Sequence, residues 1–472
     1  MEVAILLISF FLLLIIGVPI AYSIGLSAVL TLSVSMVADG LDVTIALAAT
    51  AQRMATGLDS FTLLAIPFFI LAGQLMNQGG VAKRLVDFAK ALVGWLPGGL
   101  GLVNIIACIL FGAISGSAVA AASAIGSFMH PRMTKEGYDP AFSAAINLSS
   151  ATTGLVIPPS NVLIVYSLAS GGVSIGALFL AGYIPGLLVG VMLMAVVMFI
   201  SVKRGYPRAK ANFRPLLQET IYTLPLLLIT FVAARFFSVE GGGLLGISIV
   251  YALGLAVWKP DRVLPSLLLL VIVIGGIVGG IFTATEASAI AVLYTAILGF
   301  VYKELSFRTL PKVLLSSVNV TAIVLLLIAA SIAFSWTLSF ENLPQALSDA
   351  LLSLSDRPII ILLLINLTLL IVGIFMDMTP AVLIFTPIFL PIVLALGIDP
   401  IHFGIIMVLN LCIGLCTPPV GSVLFVGAAV AKLPIRKVIP PLIPLFLAML
   451  VALLLVTYFP SLSLWLPSVM GW

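Results

Sequence analysis

Charge is what this chain has least of: Asp, Glu, Lys and Arg make up 8% of its 472 residues against 62% hydrophobic, and its mean hydropathy is +1.32. No water-facing surface can be assembled from so few charges, which excludes a soluble domain. Histidine occurs twice, as His130 and His402, and neither has a second ligand-type residue at metal spacing, so no metal centre is expected. The three cysteines, Cys108, Cys412 and Cys416, all fall in apolar segments and read as small buried side chains, not a disulfide or metal set. There is no GxxxxGK[ST] loop, hence no ATP hydrolysis on this chain, and no nucleophile beside a base to make an intramembrane enzyme. Nor is there the single pore helix with a ring of like residues that an ion channel of identical subunits uses. The net charge of +4 suits loops facing anionic lipid and gives no reason to invoke nucleic acid. Glu2 and the lack of a basic leader argue against a cleaved signal peptide.

What is present is a duplication. Residues 139–161 read DPAFSAAINLSSATTGLVIPPSN, and Asp139, Pro140, Gly154, Leu155, Pro158 and Pro159 recur 260 positions later as Asp399, Pro400, Gly414, Leu415, Pro418 and Pro419. Each copy sets a glycine and a Pro-Pro pair inside an apolar run, where proline removes a backbone donor and leaves carbonyls unpartnered. In lipid such a break is tolerated where it lines a buried site, and a matched pair in two halves is the sequence mark of a transporter's binding centre.

The expected fold is an all-α polytopic membrane protein of two inverted repeats, with about 12 transmembrane helices plus two re-entrant hairpins. The first repeat, 1–214, holds a broken pair at 3–37, a span at 61–76, an amphipathic interfacial helix at 83–95, a hairpin at 98–131 and a broken helix at 139–170. Connecting spans occupy 215–260. The second repeat, 261–472, holds a broken pair at 264–302, a span at 319–340, an amphipathic helix at 342–354, a hairpin at 358–395, a broken helix at 400–431 and a last span at 438–460. The pairs at 3–37 and 264–302 can be read as two short helices each or as one kinked helix. Placing 18 of the 21 basic residues in the cytoplasm leaves Arg53, Arg235 and Arg357 outside, a strong positive-inside bias with both termini external.

The motifs SGSAVAAASAIG (115–126), GLVIPPSN (154–161), YIPGLLVG (183–190), GIFTATEASA (280–289), GIDPIHFGIIM (397–407) and GLCTPPVG (414–421) together resemble the large membrane subunit of a TRAP transporter, a tripartite ATP-independent periplasmic transporter. The resemblance covers nearly the whole chain. It implies an elevator-type, sodium-coupled importer of the ion-transporter superfamily in the bacterial inner membrane. The partners it implies are a small four-helix membrane subunit and a periplasmic solute-binding protein. One departure is Asp377, where many relatives carry Glu.

The chemistry of the residues agrees with that picture. A sodium ion takes hard oxygens, which hydroxyls and free carbonyls at broken helices supply. Ser115 and Ser117 at the first hairpin tip are expected to face the break from Gly154 through Val156 to Pro158; Asp377 and Thr379 at the second, to face Gly414, Thr417 and Pro418. The alternative for the Ser115-Gly116-Ser117 tip is close packing through small residues. A substrate carboxylate would sit between the tips, on Ser115, Gly116, Ser160 and Asn161, near helix N-termini; for Asn161 the rival role is a helix cap. Glu286 and Asp377 are the acids placed at membrane depth, and for Glu286 stabilisation of a helix start at Thr285 is the favoured reading. No arginine is available at depth to clamp a second carboxylate. That favours a hydroxyl-rich monocarboxylate, and the run 158–174 resembles the sialic acid branch of the family; a C4-dicarboxylate is the alternative.

Overall fold

Uncharged apolar runs must satisfy their own backbone groups, and helix does so within each segment. In the computed structural model, which describes residues 2–208, 221–226, 229, 241–259, 264–342, 345, 357–418 and 421–472, the described residues contain helices and no strand. The first half runs α1 (Glu2–Ile16), α2 (Ile20–Ala38), α3 (Val43–Leu58), a 3-10 turn (Phe61–Leu64), α4 (Ala65–Gln78) and α5 (Val81–Val93). A hairpin follows, α6 (Gly99–Ser115) and α7 (Ala118–Lys135), then an interrupted pair, α8 (Pro140–Thr153) and α9 (Asn161–Ala169), and α10 (Ile175–Arg204). The second half is α11 (Gly241–Trp258), α12 (Leu264–Val278), α13 (Ala284–Val301), α14 (Leu310–Phe340), a hairpin of α15 (Pro358–Phe375) and α16 (Met378–Ala395), an interrupted pair of α17 (Pro400–Gly414) and α18 (Ser422–Ala431), then α19 (Ile435–Tyr458) and α20 (Ser461–Val469). The interfacial helix expected over 342–354, the basic loop beyond Arg208 and most of the span expected over 216–237 lie outside the described residues.

Among the described residues eight helices are long and apolar enough to cross a membrane, and further apolar helices such as α12 and α17 are shorter. The segments 3–37 and 264–302 are two helices each. Gly17 at φ +90° and Gly280 at φ +66° take the left-handed conformation that breaks the run. The amphipathic helix expected at 83–95 is α5, shifted two residues towards the N-terminus: Val81, Leu85, Val86 and Ala89 are buried while Lys83, Asp87 and Lys90 face out.

The recurrent Asp-Pro pairs start the interrupted helices. Asp139 accepts hydrogen bonds from the N–H groups of Ala141 and Phe142, both at 3.3 Å, and Asp399 from Ile401 at 2.7 Å and His402 at 3.4 Å. Each aspartate caps orphan donors while the following proline fills the first helical position, where no donor is needed.

Glycine then sets how closely the hairpins lie on the interrupted helices. A Cβ on Gly112 of α6 would stand 2.6 Å from the Gly154 Cα, and one on Gly373 of α15 would stand 3.0 Å from the Gly414 Cα. These backbone-to-backbone contacts occupy corresponding places in the two halves and work as small-residue interfaces do between membrane helices. The far arms cross over: α7 packs on α18 of the second half and α16 on α9 of the first. Hairpins and interrupted helices thereby interlock in one cluster with α10 and α19, while α2 pairs with α14 and α4 with α13 alongside.

Candidate functional site

The two hairpin tips are built differently. In the first, α6 ends at Ser115, Gly116 turns the chain at φ +60°, and Ser117 caps α7 by accepting from Ala120 N–H at 3.2 Å. The Ser115 hydroxyl is buried and reaches the Ser117 carbonyl at 3.5 Å. Gly73 of α4 lets this tip approach, since a Cβ there would meet the Ser115 Cα at 3.1 Å. In the second tip Asp377 occupies the capping position of α16, yet its carboxylate makes no capping hydrogen bond and stays exposed. A carboxylate exposed at a helix start and not used as its cap is a ready cation ligand.

Both tips meet in one cavity of about 490 Å3. Ser115, Gly116 and Ser117 line it from the first hairpin, and Asp377, Met378 and Thr379 from the second. Leu155 and Leu415, from the two breaks, and Asn161 and Ser422, at the starts of α9 and α18, complete the inner wall, and α4 and α14 close the opposite side. Asn161 is the first residue of α9, not its cap. The capping place belongs to Ser160, which makes no side-chain cap, so the expected capping role of Asn161 is replaced. The Asn161 amide lies against Gly116, where a Cβ would come within 2.8 Å of its Nδ2. Its Oδ1 and the Ser160 Oγ are buried without a hydrogen-bond partner, and Ser422 Oγ is in the same condition. Buried acceptors and hydroxyls left unpaired in an apolar bundle are expensive, and a bound ligand relieves them.

Not every expected residue reaches the cavity. Gly154 is occupied by its contact with Gly112, and Gly414 by Gly373. The Val156 carbonyl and the Pro158 ring lie against Gly182 of α10, and neither residue lines the cavity. Thr417 donates its hydroxyl to the Ile413 carbonyl at 3.0 Å and Pro418 is half-buried. Glu286 is exposed and closes a capping box: its Oε2 accepts from Thr283 N–H at 2.8 Å and from the Thr283 hydroxyl at 2.9 Å. The helix start is therefore real, but the cap is Thr283 and not Thr285, whose hydroxyl donates to the Phe61 carbonyl at 2.9 Å.

The structure adds side chains that sequence reasoning passed over. Gln74 and Asn77 of α4 and Ser123 of α7 face the cavity. The signal was the polar run GQLMNQ closing an otherwise apolar span, with Gln74 and Asn77 three apart and so on one helix face.

Two hairpins and two interrupted helices bringing hydroxyls, carboxamides and a carboxylate to one cavity inside an apolar bundle define a membrane transporter. The comparisons with known proteins agree. The family model described as tripartite ATP-independent periplasmic transporter, DctM component, matches residues 7–462. The protein is 50% identical to the uncharacterised protein YgiK of Salmonella typhimurium over 98% of this chain and 96% of that one. It is 39% identical to the C4-dicarboxylate TRAP transporter large permease DctM of Rhodobacter capsulatus over 96% of each, and 39% identical to the sialic acid TRAP transporter large permease SiaM of Vibrio cholerae over 89% of each. The crystal structure of the YdaH transporter of Alcanivorax borkumensis shares the fold, with a TM-score of 0.56 at 15% identity over 90% of this chain and 88% of that one. The chain belongs to the DctM family, the large permease component of TRAP transporters; it is a multi-pass membrane transporter and not an enzyme.

Proposed function

We propose that this chain is a sodium-driven importer that carries a hydroxylated organic acid anion, of the sugar acid class to which sialic acid belongs, across the bacterial inner membrane. It would act with a small four-helix membrane subunit and receive its solute from a periplasmic binding protein. The observation that carries the reading is the polar part of the central cavity's largely apolar lining: hydroxyls, carboxamides and one carboxylate, Asp377, with no arginine or lysine among the described residues. Ser115 and Ser117 on one tip and Asp377 and Thr379 on the other supply oxygens for sodium. Asn161, Gly116 and Ser160 supply the place for a carboxylate whose charge the ions balance. Ion binding and solute binding then favour one another because each neutralises what the other brings into a low-dielectric site.

The interlocked hairpins and interrupted helices, roughly 98–201 and 358–460, form the unit that moves against α2, α4, α13 and α14, in the manner of an elevator. The inward membrane potential adds about 2.3 kcal/mol per net positive charge per 100 mV. A C4-dicarboxylate is the second reading, favoured by the relatives that carry that name. Co-reconstitution of the three components in vesicles, with labelled sialic acid and succinate compared under one sodium gradient, decides between them. Sialic acid uptake lost when choline replaces sodium supports the proposal; uptake indifferent to sodium, or succinate uptake that sialic acid does not compete, overturns it.

A further inference from the structure

A second cavity, about 430 Å3, lies beyond the first. Its walls continue the same helices: α14 lines the central cavity up to Leu327 and this one from Ile332 to Ser339, α9 contributes Val165 there and Leu168 here, and α16 Thr379 there and Leu383 here. At 1.5 Å per residue their nearest lining residues are roughly 5–8 Å apart along these helices. The second cavity therefore lies on a continuation of the path to the first, where the interlocked unit meets α3 and α14. It contains what the first lacks among the described residues, an arginine.

The Arg53 guanidinium sits 4.9 Å from the ring centroid of Trp336, and Trp336 is itself packed against Leu32, Met36 and Ala46. An indole face holds a guanidinium flat and leaves its edge donors free for a carboxylate. Among the described residues Arg53 makes no salt bridge, not even to Asp59 in the same wall. Asp59 leaves that wall without net charge, so an anion is held weakly enough to move on. The positive-inside count sets Arg53 on the outer side as one of three exceptions, and a cation kept there against that bias calls for a purpose.

We propose that this cavity is an outer vestibule for the transported anion, in which Arg53, presented by Trp336, binds the carboxylate before the anion passes to the hydroxyl-lined cavity beneath. The inference rests on the proposed import of an organic acid. Arg53 is a solute-binding residue of the entry path and takes no part in sodium binding.

The test uses the three-component transporter in vesicles. Arg53→Gln should raise the KM for labelled sialic acid about fivefold, as loss of a partly exposed ion pair does, with the maximal rate and the sodium half-saturation within twofold of the parent. Arg53→Lys should recover part of the loss. Because Cys108, Cys412 and Cys416 are all buried, Arg53→Cys presents a single accessible thiol. Its modification by externally added methanethiosulfonate ethylsulfonate should be slowed severalfold by sialic acid or succinate and not by neutral mannitol. Unchanged KM in Arg53→Gln, or labelling that neither acid slows, overturns the vestibule. Should Arg53→Gln fail to assemble, the Arg53→Cys labelling alone decides. If the parent transports neither acid, the proposed function fails, while protection of Arg53→Cys by an organic anion still supports the vestibule.

Discussion

The two hairpin tips share a frame and differ in chemistry. In both halves a glycine pair, Gly112 with Gly154 and Gly373 with Gly414, lets a hairpin arm touch an interrupted helix backbone to backbone. At the tips the likeness ends: the first presents hydroxyls and a neighbouring carboxamide, the second an uncapped carboxylate. Backbone approach depends on having no side chain, which leaves one solution, so both halves keep it. Ligand chemistry depends on which side chain is present, and there the halves have diverged.

That comparison is most severely tested where the halves agree. Gly112→Val should abolish uptake and folded yield, because a side chain there meets backbone that has nowhere to go. The alanine variants should grade with the spacing: Gly112→Ala, at 2.6 Å, should melt lower than Gly373→Ala, at 3.0 Å, with losses of about 1–3 kcal/mol. Thermal melting of both in detergent ranks them, and the reverse order breaks the equivalence of the two contacts. Next in size, Asp377→Asn should raise the sodium concentration for half-maximal uptake about tenfold or more, whereas Ser115→Ala, which removes a neutral oxygen, should shift it about fivefold at most. A sodium titration showing equal shifts would mean that the tips do not differ in their hold on the cation.

Smaller again, Asn161→Ala should raise the solute KM about fivefold and leave the sodium titration unmoved. Its counterpart 260 positions on is Gly421, which has no side chain to lose, so this asymmetry is sharpened by Ser422→Ala, whose effect on KM should be the lesser of the two. Smallest is Thr283→Ala. The start of α2 at Pro19 has no side-chain cap while that of α13 has a full box, so removing Thr283 should lower stability by about 1 kcal/mol with transport unchanged. A loss of uptake without a loss of melting temperature would instead give the Thr283–Glu286 pair a functional part.

Much of this was legible in the sequence, for physical reasons. Glycine and proline inside an apolar run have few uses, so the breaks at Gly154 and Gly414 and the tips at Gly116 and Asp377 stood out. The same logic marked α5 by its basic and apolar alternation. What sequence could not provide was direction. Val156 and Pro158 belong to a break that does line the cavity through Leu155, yet they turn towards Gly182, because which carbonyl faces inward is decided by how α10 packs and not by where the helix stops. Gln74 and Asn77 were missed for the converse reason: they lie on an ordinary span and gain meaning only once that span is found to wall the cavity. The start of α13 was read at Thr285, although the spacing of a capping box, with Glu286 three residues after its cap, points to Thr283.

The crossing of the hairpin arms, α7 onto α18 and α16 onto α9, bears on biosynthesis. The glycine contacts form within each half, but each half supplies the wall against which the other half's hairpin must close, so the cavity cannot mature in the order of synthesis. When translation has passed α10, the Asn161 amide and the Ser160 hydroxyl are already threaded into the bilayer, and α16, which packs on α9, has yet to leave the ribosome. The nascent first half therefore has to be held open until some two hundred further residues arrive. An insertion factor that shelters polar side chains during that interval, and not the finished packing alone, would then govern how much functional permease a cell obtains.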